Sequence, residues 1–260
     1  MFNRTISVAL ALLLAAGLCF AQTPGTFNPL LTAGTGVPAP VINYVTTAND
    51  NTNLTTYTFN SVSFGTAAAA RYTVVCVGGL DTAGTFSVAS ATINGIAATR
   101  FGNAGASSLD VTASACFIAA NPTGTSGTIT ATFSEGITSA SIVVYRLINL
   151  AESGAAADHS GFVGSANTAC PYNNYTATGP SVMVVFAFAN SSSAITPDYA
   201  SVFSAFGTVE DTNQFDTTDN TVWTSGSSAI AGNLSSTSGT IALTPGSPSL
   251  PIACSGGVFR

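Results

Sequence analysis

The sequence predicts an all-β fold, in the form of one large jelly-roll-like antiparallel β-sandwich, and three observations lead to it. Apolar and polar residues alternate along residues 111–118 and along the TITATF segment at residues 128–133, which is the period of a half-buried strand. Turn-forming residues separate such segments, and no helical period lasts longer than a turn or two. Counting the segments gives roughly a dozen strands between Val41 and Val258.

Three further segments, residues 72–77, 142–148 and 182–189, are apolar on both faces. They are short and rich in Val, Ile and Phe, which predicts central strands of a layered structure. Asn94-Gly95 predicts a tight hairpin, because a type I′ turn needs positive φ at both positions, and Glu135-Gly136 predicts a second one. A change of apolar phase at Asn60-Ser61 predicts a bulge or a tight turn.

Residues 41–260 are expected to form one β-sandwich domain, since all-β domains of about 200 residues or more are common. The alternative is two tandem immunoglobulin-like sandwiches of about 100 residues each. That arrangement needs a linker near the middle of the chain. The polar, Gly/Ala-rich residues 151–174 are the place for one, although they lack the prolines of the N-terminal segment.

The start of the chain has the pattern of an export signal. Arg4 precedes an apolar run, and small residues up to Ala21 suit a signal peptidase, so residues 1–21 are predicted to be a cleaved signal peptide. The alternative is an N-terminal membrane anchor, but a bilayer-spanning helix needs about 20 apolar residues, and this apolar run is shorter. Residues 22–40, rich in Pro, Gly and Thr, predict an extended arm. A secreted or surface location follows, with no membrane contact unless the N-terminal segment is retained.

The composition excludes several functions. Charged residues make up 6% of the 260 residues, against about 25% in ordinary domains. The net charge is -6, the five basic residues are all arginine, and His159 is the single histidine. Nucleic-acid binding is not expected without a basic surface. A lysine-dependent active site and a histidine-cluster metal site are excluded as well, and no cofactor is predicted.

Four cysteines remain if the signal peptide, which contains Cys19, is removed. An even number in an exported chain predicts two disulfides, with three possible connectivities. Cys76 and Cys116 lie in strand-like segments, where a buried free thiol is the expected state. Cys170 and Cys254 lie in loop-like segments near prolines, and they are the favoured bridge.

Residues 209–220, VEDTNQFDTTDN, form the most acidic segment of the chain. A solvated loop is the first interpretation. The second is a calcium site, because Asp and Asn supply the oxygen ligands that calcium prefers; its candidate ligands are Asp211, Asn213, Asp216 and Asp219. The third is a glycosidase, which would need paired carboxylates on either side of a sugar.

Candidates for other ligand chemistry are few. Trp223, the single tryptophan, is first of all a core residue, and with Phe215 it is a candidate platform for stacking on sugar. His159 beside Asp158 is the one imidazole base available. It is expected in an exposed loop, and no G-x-S-x-G nucleophile motif accompanies it. No catalytic residue is assigned, and the protein is not expected to be an enzyme.

Two segments, SATINGIAATRF and FIAANPTGTSGTITATFSEGITSASIVVYRLINL, carry a resemblance to a known kind of module. Over about residues 62–151 the chain resembles a β-sandwich module of poorly characterised bacteriophage virion-associated proteins and bacterial surface proteins. The shared motifs are an Asn-Gly hairpin, a Pro-Thr-Gly turn and an apolar strand ending in Tyr-Arg-Leu. The resemblance implies a sandwich fold and a non-enzymatic surface or particle component, and it assigns no functional residue.

These observations predict a non-enzymatic structural or adhesive component of a cell surface, an extracellular filament or a virion. Its expected partners are further copies of itself or other surface proteins, because Thr, Ser, Gly and Asn can pack without the desolvation penalty of buried charge. A carbohydrate-binding module is the alternative, and a glycosidase comes third. Ice binding would need Thr-x-Thr at a fixed solenoid period of about 20 residues, and the sequence has none.

Overall fold

The computed structural model describes residues 38–81, 84–104, 112–151, 158–164, 169–173, 180–189, 195–198, 208–209, 213–217, 222–226, 229–233, 238–245 and 252–260. These residues form nineteen β-strands and no helix, so the predicted all-β fold is confirmed. Val37–Arg260 form one compact unit. No helix in the described part of the chain is long and apolar enough to cross a membrane.

The strands divide between two halves of the chain. The first half contains β1 (Val41–Asp50), β2 (Leu54–Ser63), β3 (Tyr72–Leu80), β4 (Val88–Ile93), β5 (Ile96–Ala97), β6 (Thr99–Ala104), β7 (Thr112–Ala120), β8 (Ser126–Ile137) and β9 (Ser139–Ile148). The second half contains β10 (Asp158–Gly164), β11 (Ala169–Asn173), β12 (Pro180–Ala189), β13 (Ile195–Asp198), β14 (Thr208–Val209), β15 (Asn213–Thr217), β16 (Val222–Gly226), β17 (Ala229–Asn233), β18 (Ser238–Pro245) and β19 (Ile252–Phe259). Among these strands, each sheet is built from one half only.

The first half folds as a jelly roll. Its strands form a central sheet in the order β1-β9-β3-β7-β6 and a front sheet in the order β2-β8-β4-β5, and the pairings are antiparallel. Strands β1, β9, β3 and β7 in one sheet and β2, β8, β4 and β5 in the other have the two-Greek-key order of a jelly roll. Strand β6 extends the central sheet. The predicted jelly-roll order is therefore present in residues 41–148.

The second half adds a third layer. Its back sheet has the order β10-β19-β12-β16-β15, with β17 pairing to β12 and β14 to β17, and a small sheet has the order β11-β18-β13. Phe186 and Phe188 of β12 pack on the central sheet in one core cluster with Val74. The back face of the central sheet thus packs against the second half of the chain. This arrangement differs from two tandem immunoglobulin-like sandwiches, in which each half would have a separate core.

The central sheet is buried on both faces, as its apolar segments predict. Along β3, Val75 and Val77 belong to the core shared with the front sheet, whereas Val74 and Cys76 belong to the core shared with the back sheet. We call these the front core and the back core. At the end of β3, Gly78 lies directly under the ring of Phe188, and a Cβ at this position would collide with the ring. The glycine therefore allows the back sheet to approach the central sheet closely.

The predicted hairpin at Asn94-Gly95 and the predicted bulge at Asn60-Ser61 are confirmed, and the turn predicted at Glu135-Gly136 is not. Asn94 (φ 53) and Gly95 (φ 78) form the turn between β4 and β5, as a type I′ hairpin requires. The bulge is present as well, because Ser61 has φ 57 and the register shifts between Phe59 and Val62. The turn predicted at Glu135-Gly136 is wrong, since β8 continues to Ile137. Pairing with β2 extends the strand beyond the residues that favour a turn.

The cysteine prediction needs a correction. Cys76 and Cys116 form a disulfide with an S–S distance of 1.99 Å, and they are not free thiols. They are direct partners on β3 and β7, which places their Cβ atoms on the same face of the sheet. The predicted Cys170–Cys254 bridge stays a prediction, but it is now the one pairing that would complete two disulfides. Cys170 lies in β11 and Cys254 in β19.

Candidate functional site

The outer face of the front sheet is a regular array of threonine and serine side chains. The inward positions of β2, β4 and β8 enter the front core, and they include Tyr57, Ala91 and Ala131. Because neighbouring positions alternate between the two faces of a strand, the positions beside them point outward. Six of these outward residues make up what we call the threonine face: Thr56, Thr58, Ser90, Thr92, Thr130 and Thr132.

The threonine face has a two-dimensional order that follows from the strand register. The register arranges its residues in two rows that each cross β2, β8 and β4: Thr56, Thr132 and Ser90, then Thr58, Thr130 and Thr92. Neighbouring strands of a sheet are about 4.8 Å apart, and same-face neighbours along a strand are about 6.8 Å apart. The hydroxyl oxygens of Thr56 and Thr132 lie 3.4 Å from each other. The face therefore presents hydroxyl and methyl groups at regular spacing.

The six residues of the threonine face carry no charge, and most of the described charged side chains of the jelly roll lie toward its two ends. Arg100 is the exception: it lies in β6, and its Nη1 donates to Val88 O of β4 at 3.0 Å. Asp50 is the last residue of β1, Asp81 follows the last residue of β3, and Glu135 lies near the end of β8. Arg71 and Arg146 lie at the opposite end, where β3 begins and β9 approaches its last residue. The threonine face lies between them, and its own six residues contribute hydrogen-bonding groups without ionic ones.

Arg71 has a structural function and is not available to a ligand. It is 1% exposed, and burial lowers its pKa first, with the nearby charge of Arg146 as the second cause. Its guanidinium donates to four backbone carbonyls: Asn121 O at 2.6 Å, Gly65 O at 3.0 Å, Thr123 O at 2.8 Å and Gly124 O at 2.9 Å. The arginine therefore holds the Pro-Thr-Gly turn against the loop that precedes β3.

Two surface depressions are described, and neither is lined by an acid, a histidine or a cysteine. The larger has a volume of about 460 Å³ and is lined by Asn43, Tyr44, Val45, Gly65, Thr66 and Arg146. The smaller has a volume of about 230 Å³ and is lined by Tyr72, Ile96, Ala97, Thr99, Ile118, Ala119 and Ala120. Arg146 Nε donates to Thr66 O at 2.8 Å, which fixes the side chain along the wall of the larger depression.

The edges of the jelly-roll sheets are poorly suited to pairing with another strand. The register shifts at Val45 in β1 and at Gly102 in β6. It shifts twice in β2, at Thr55 and around Ser61, and the edge strand β5 has two residues. Bulges and very short strands are the devices by which sheets avoid edge-to-edge association. The threonine face is therefore better suited to contacts with other molecules than these edges are.

The sugar-binding candidates lie on the hairpin of β15 and β16 at the edge of the back sheet. Asp216 is the register partner of Trp223, and Phe215 is the partner of Thr224. Because strand positions alternate between faces, Phe215 and Trp223 occupy positions on opposite faces of this ladder. The register brings an acidic residue, and not the second aromatic one, to the position opposite Trp223.

The calcium candidates are only partly described. Asn213 and Asp216 lie in β15, whereas Asp211 and Asp219 lie outside the described residues. Within the ranges that the structure describes, no group of three or more His, Cys, Asp or Glu side chains is placed to hold a metal ion. The calcium site therefore stays a prediction for this segment.

Four segments that were predicted as loops contain strands, and one of them is the segment of Cys254 in β19. His159 lies in β10 opposite Gly257, Cys170 lies in β11 opposite Ile241, and Asp216 lies in β15. Polar and turn-forming residues predict a loop from local preference, but pairing with a neighbouring strand overrides that preference. The strand partners of His159 and Cys170 are distant in the chain, and the partner of Asp216 lies on the next strand, β16.

The threonine face itself was missed at the sequence level. A signal was present, because each contributing strand has Thr or Ser at alternate positions: TYT at residues 56–58, SAT at residues 90–92 and TAT at residues 130–132. These motifs recur at irregular intervals, so a search for a fixed repeat does not find them. The jelly-roll order places β8 between β2 and β4 and so brings them together.

Comparison with known proteins assigns no family to the chain. No protein-family model matches it, and no curated protein matches its sequence. A functional proposal therefore depends on the fold and on the surfaces described above.

Proposed function

We propose that the protein is a non-enzymatic structural or adhesive component of a cell surface, an extracellular filament or a virion. The observation that carries the proposal is the threonine face, an uncharged and hydrogen-bonding surface on a disulfide-linked sandwich. The disulfide fits an oxidising location outside the cytosol, in agreement with the export signal expected at residues 1–21.

The side chains of the threonine face suit repeated contacts. Threonine has two heavy atoms on Cβ, so its χ1 rotamer is restricted before any contact forms. Because the front sheet fixes the backbone as well, little conformational freedom remains to be lost on association. Neutral hydroxyl groups also cost less to desolvate than charges do. Such a face can pack against a second copy or a polar surface through many weak and identical contacts.

A charge placed within the threonine face tests the proposal. Thr58 is exposed in the middle of β2, and the Thr58→Glu and Thr58→Arg variants should both abolish assembly or adhesion, because either charge must be desolvated on contact. Assembly is measured by analytical ultracentrifugation and electron microscopy, and adhesion by retention on insoluble polysaccharide. Ser126→Glu, at an exposed position of β8 outside the two rows, is the matched control. A wild-type protein that stays monomeric and adheres to nothing contradicts the proposal.

A carbohydrate-binding module is the second candidate, and the pairing of Asp216 with Trp223 favours it. An aromatic ring for stacking and an acid for hydrogen bonding or calcium are the usual parts of a sugar site. The test is glycan-array binding by the wild-type protein with and without EDTA, compared with Trp223→Ala. Binding that is unchanged in this variant eliminates the Trp223 site.

A further inference from the structure

Four hydroxyl groups of the central sheet are buried without a hydrogen-bond partner among the residues that the structure describes. They belong to Thr112, Ser114, Ser139 and Ser141, which are exposed by 0%, 0%, 3% and 0%. A buried hydroxyl without a partner has lost its hydrogen bonds to water and destabilises the fold, and native proteins contain few of them. Four in one sheet therefore call for an explanation other than chance.

The four hydroxyls share one place and one face. Ser114 and Ser141 are the partners of Gly78, while Thr112 and Ser139 are the partners of Leu80. Direct partners point to the same face of a sheet, and this face is the back one, because Gly78 lies under Phe188 and Leu80 belongs to the back core. The hydroxyls thus lie between the central and back sheets, at the end of β3.

The residues form two pairs, one on each side of β3. Ser139 and Ser141 are two residues apart on β9, and Thr112 and Ser114 are two residues apart on β7. Same-face neighbours on a strand have Cα atoms about 6.8 Å apart. A water molecule that donates to one hydroxyl and accepts from another holds the two oxygens about 4.5 Å apart, and about 5.6 Å is the upper limit. Rotation of the two side chains about χ1 can bring the hydroxyl oxygens of each pair from this Cα spacing to the distance that one water molecule bridges.

We infer that the interface between the central and back sheets contains two internal water sites, one bridging Ser139 and Ser141 and the other bridging Thr112 and Ser114. Buried water typically satisfies polar groups that have no protein partner. An ion is the poorer occupant, because the paired hydroxyls carry no charge. Asp81, which follows Leu80, already accepts a hydrogen bond from Thr138 Oγ1 at 3.1 Å, and Arg71 lies at the opposite end of β3. The inference is independent of the proposed surface function.

Mutant cycles distinguish bridging water from hydroxyls that are simply buried. If water bridges a pair, Ser139→Ala and Ser141→Ala each lower Tm, by about 2–6 °C. The decrease in Tm of the double variant is then smaller than the sum of the two single decreases, because the first substitution already releases the water. Combining Ser141→Ala with Ser114→Ala, which belong to different pairs, should give additive losses. If the hydroxyls are dry, each alanine removes an unsatisfied group and raises Tm, and this result overturns the inference.

The chain offers matched controls between the members of each pair. Ala140 and Ala113 are neighbours of the paired residues but belong to the front core. Ala140→Ser and Ala113→Ser should lower Tm without coupling to the alanine variants above, because the hydroxyls they add face an apolar core. A second measurement does not depend on whether the variants fold. A high-resolution crystal structure of the wild-type protein should show ordered water at both pairs, and a dry interface there overturns the inference.

Discussion

The central sheet has a front core and a back core that use the same strands in different ways. The front core is made of aliphatic and aromatic side chains, with aromatic contacts such as the one between Tyr57 and Phe133 at 5.6 Å. The back core includes the disulfide, and Ser255 lies 3.3 Å from the sulfur of Cys116. The four buried hydroxyls lie on this face as well. The front is thus mainly apolar, and its buried polar groups, such as the Tyr57 hydroxyl and Thr73, are hydrogen-bonded. The back combines apolar rings with hydroxyl groups that have no partner among the described residues.

This difference matters for how the two halves depend on each other. The front core joins the two sheets of the jelly roll and consists only of residues of the first half, so the first half has a core of its own. The back core joins the jelly roll to strands that pair only among themselves in the described residues. We therefore expect the front core to determine whether the jelly roll folds. The back core determines whether the second half is held against it.

Removing one ring from each core tests this dependence and should have the largest effect. Phe133→Ala should lower the free energy of unfolding by about 3–5 kcal/mol and increase hydrogen exchange in all sheets. Phe188→Ala should increase exchange in β12 and β19 while β2, β4 and β8 stay protected. Leu54→Ala is a control, because Leu54 is 38% exposed in β2. Equal loss of protection in both halves after Phe188→Ala would mean that the two cores form one cooperative unit.

Removing the disulfide tests how much the back core depends on its covalent link. Cys76 and Cys116 close a loop with a sequence separation of 40 residues. The Cys76→Ala, Cys116→Ala double variant should lose about 2–4 kcal/mol of unfolding free energy, measured by urea denaturation under non-reducing conditions. Each single variant should be no more stable than the double variant, since it leaves an unpaired thiol. A double variant as stable as the wild-type protein would show that strand pairing alone holds β3 to β7.

The two cores also show which features local sequence patterns can predict and which they cannot. Segments such as residues 72–77 reveal that a strand is buried on both faces, because both phases of the strand are apolar. They do not reveal which strand lies on which side. The pairing of Cys76 with Cys116 and the alignment of Thr58 with Thr130 depend on contacts between residues far apart in the chain. Such register is set by the tertiary structure, so neither the disulfide nor the threonine face could be assigned from local pattern.

The smallest expected effect concerns the polar group inside the front core, Tyr57. Its hydroxyl lies 2.7 Å from Thr52 O and 2.6 Å from Ile137 O, and burial raises its pKa from 10.0 to about 12. Between these values the unfolded chain loses the proton while the folded protein keeps it, so the free energy of unfolding falls as pH rises from about 10 to about 12. Below pH 10 this contribution is fully present.

Tyr57→Phe should remove this part of the pH dependence and cost about 1–2 kcal/mol at neutral pH, because the two carbonyls lose a donor. Denaturation at several pH values between 9 and 12 measures both effects. Tyr44→Phe serves as the control, since Tyr44 is only half-buried at the other face of the central sheet. An unchanged decline above pH 10 in Tyr57→Phe would assign the alkaline loss of stability to other groups. Ionisation of Tyr57 in the front core would then have no measurable effect on the free energy of unfolding.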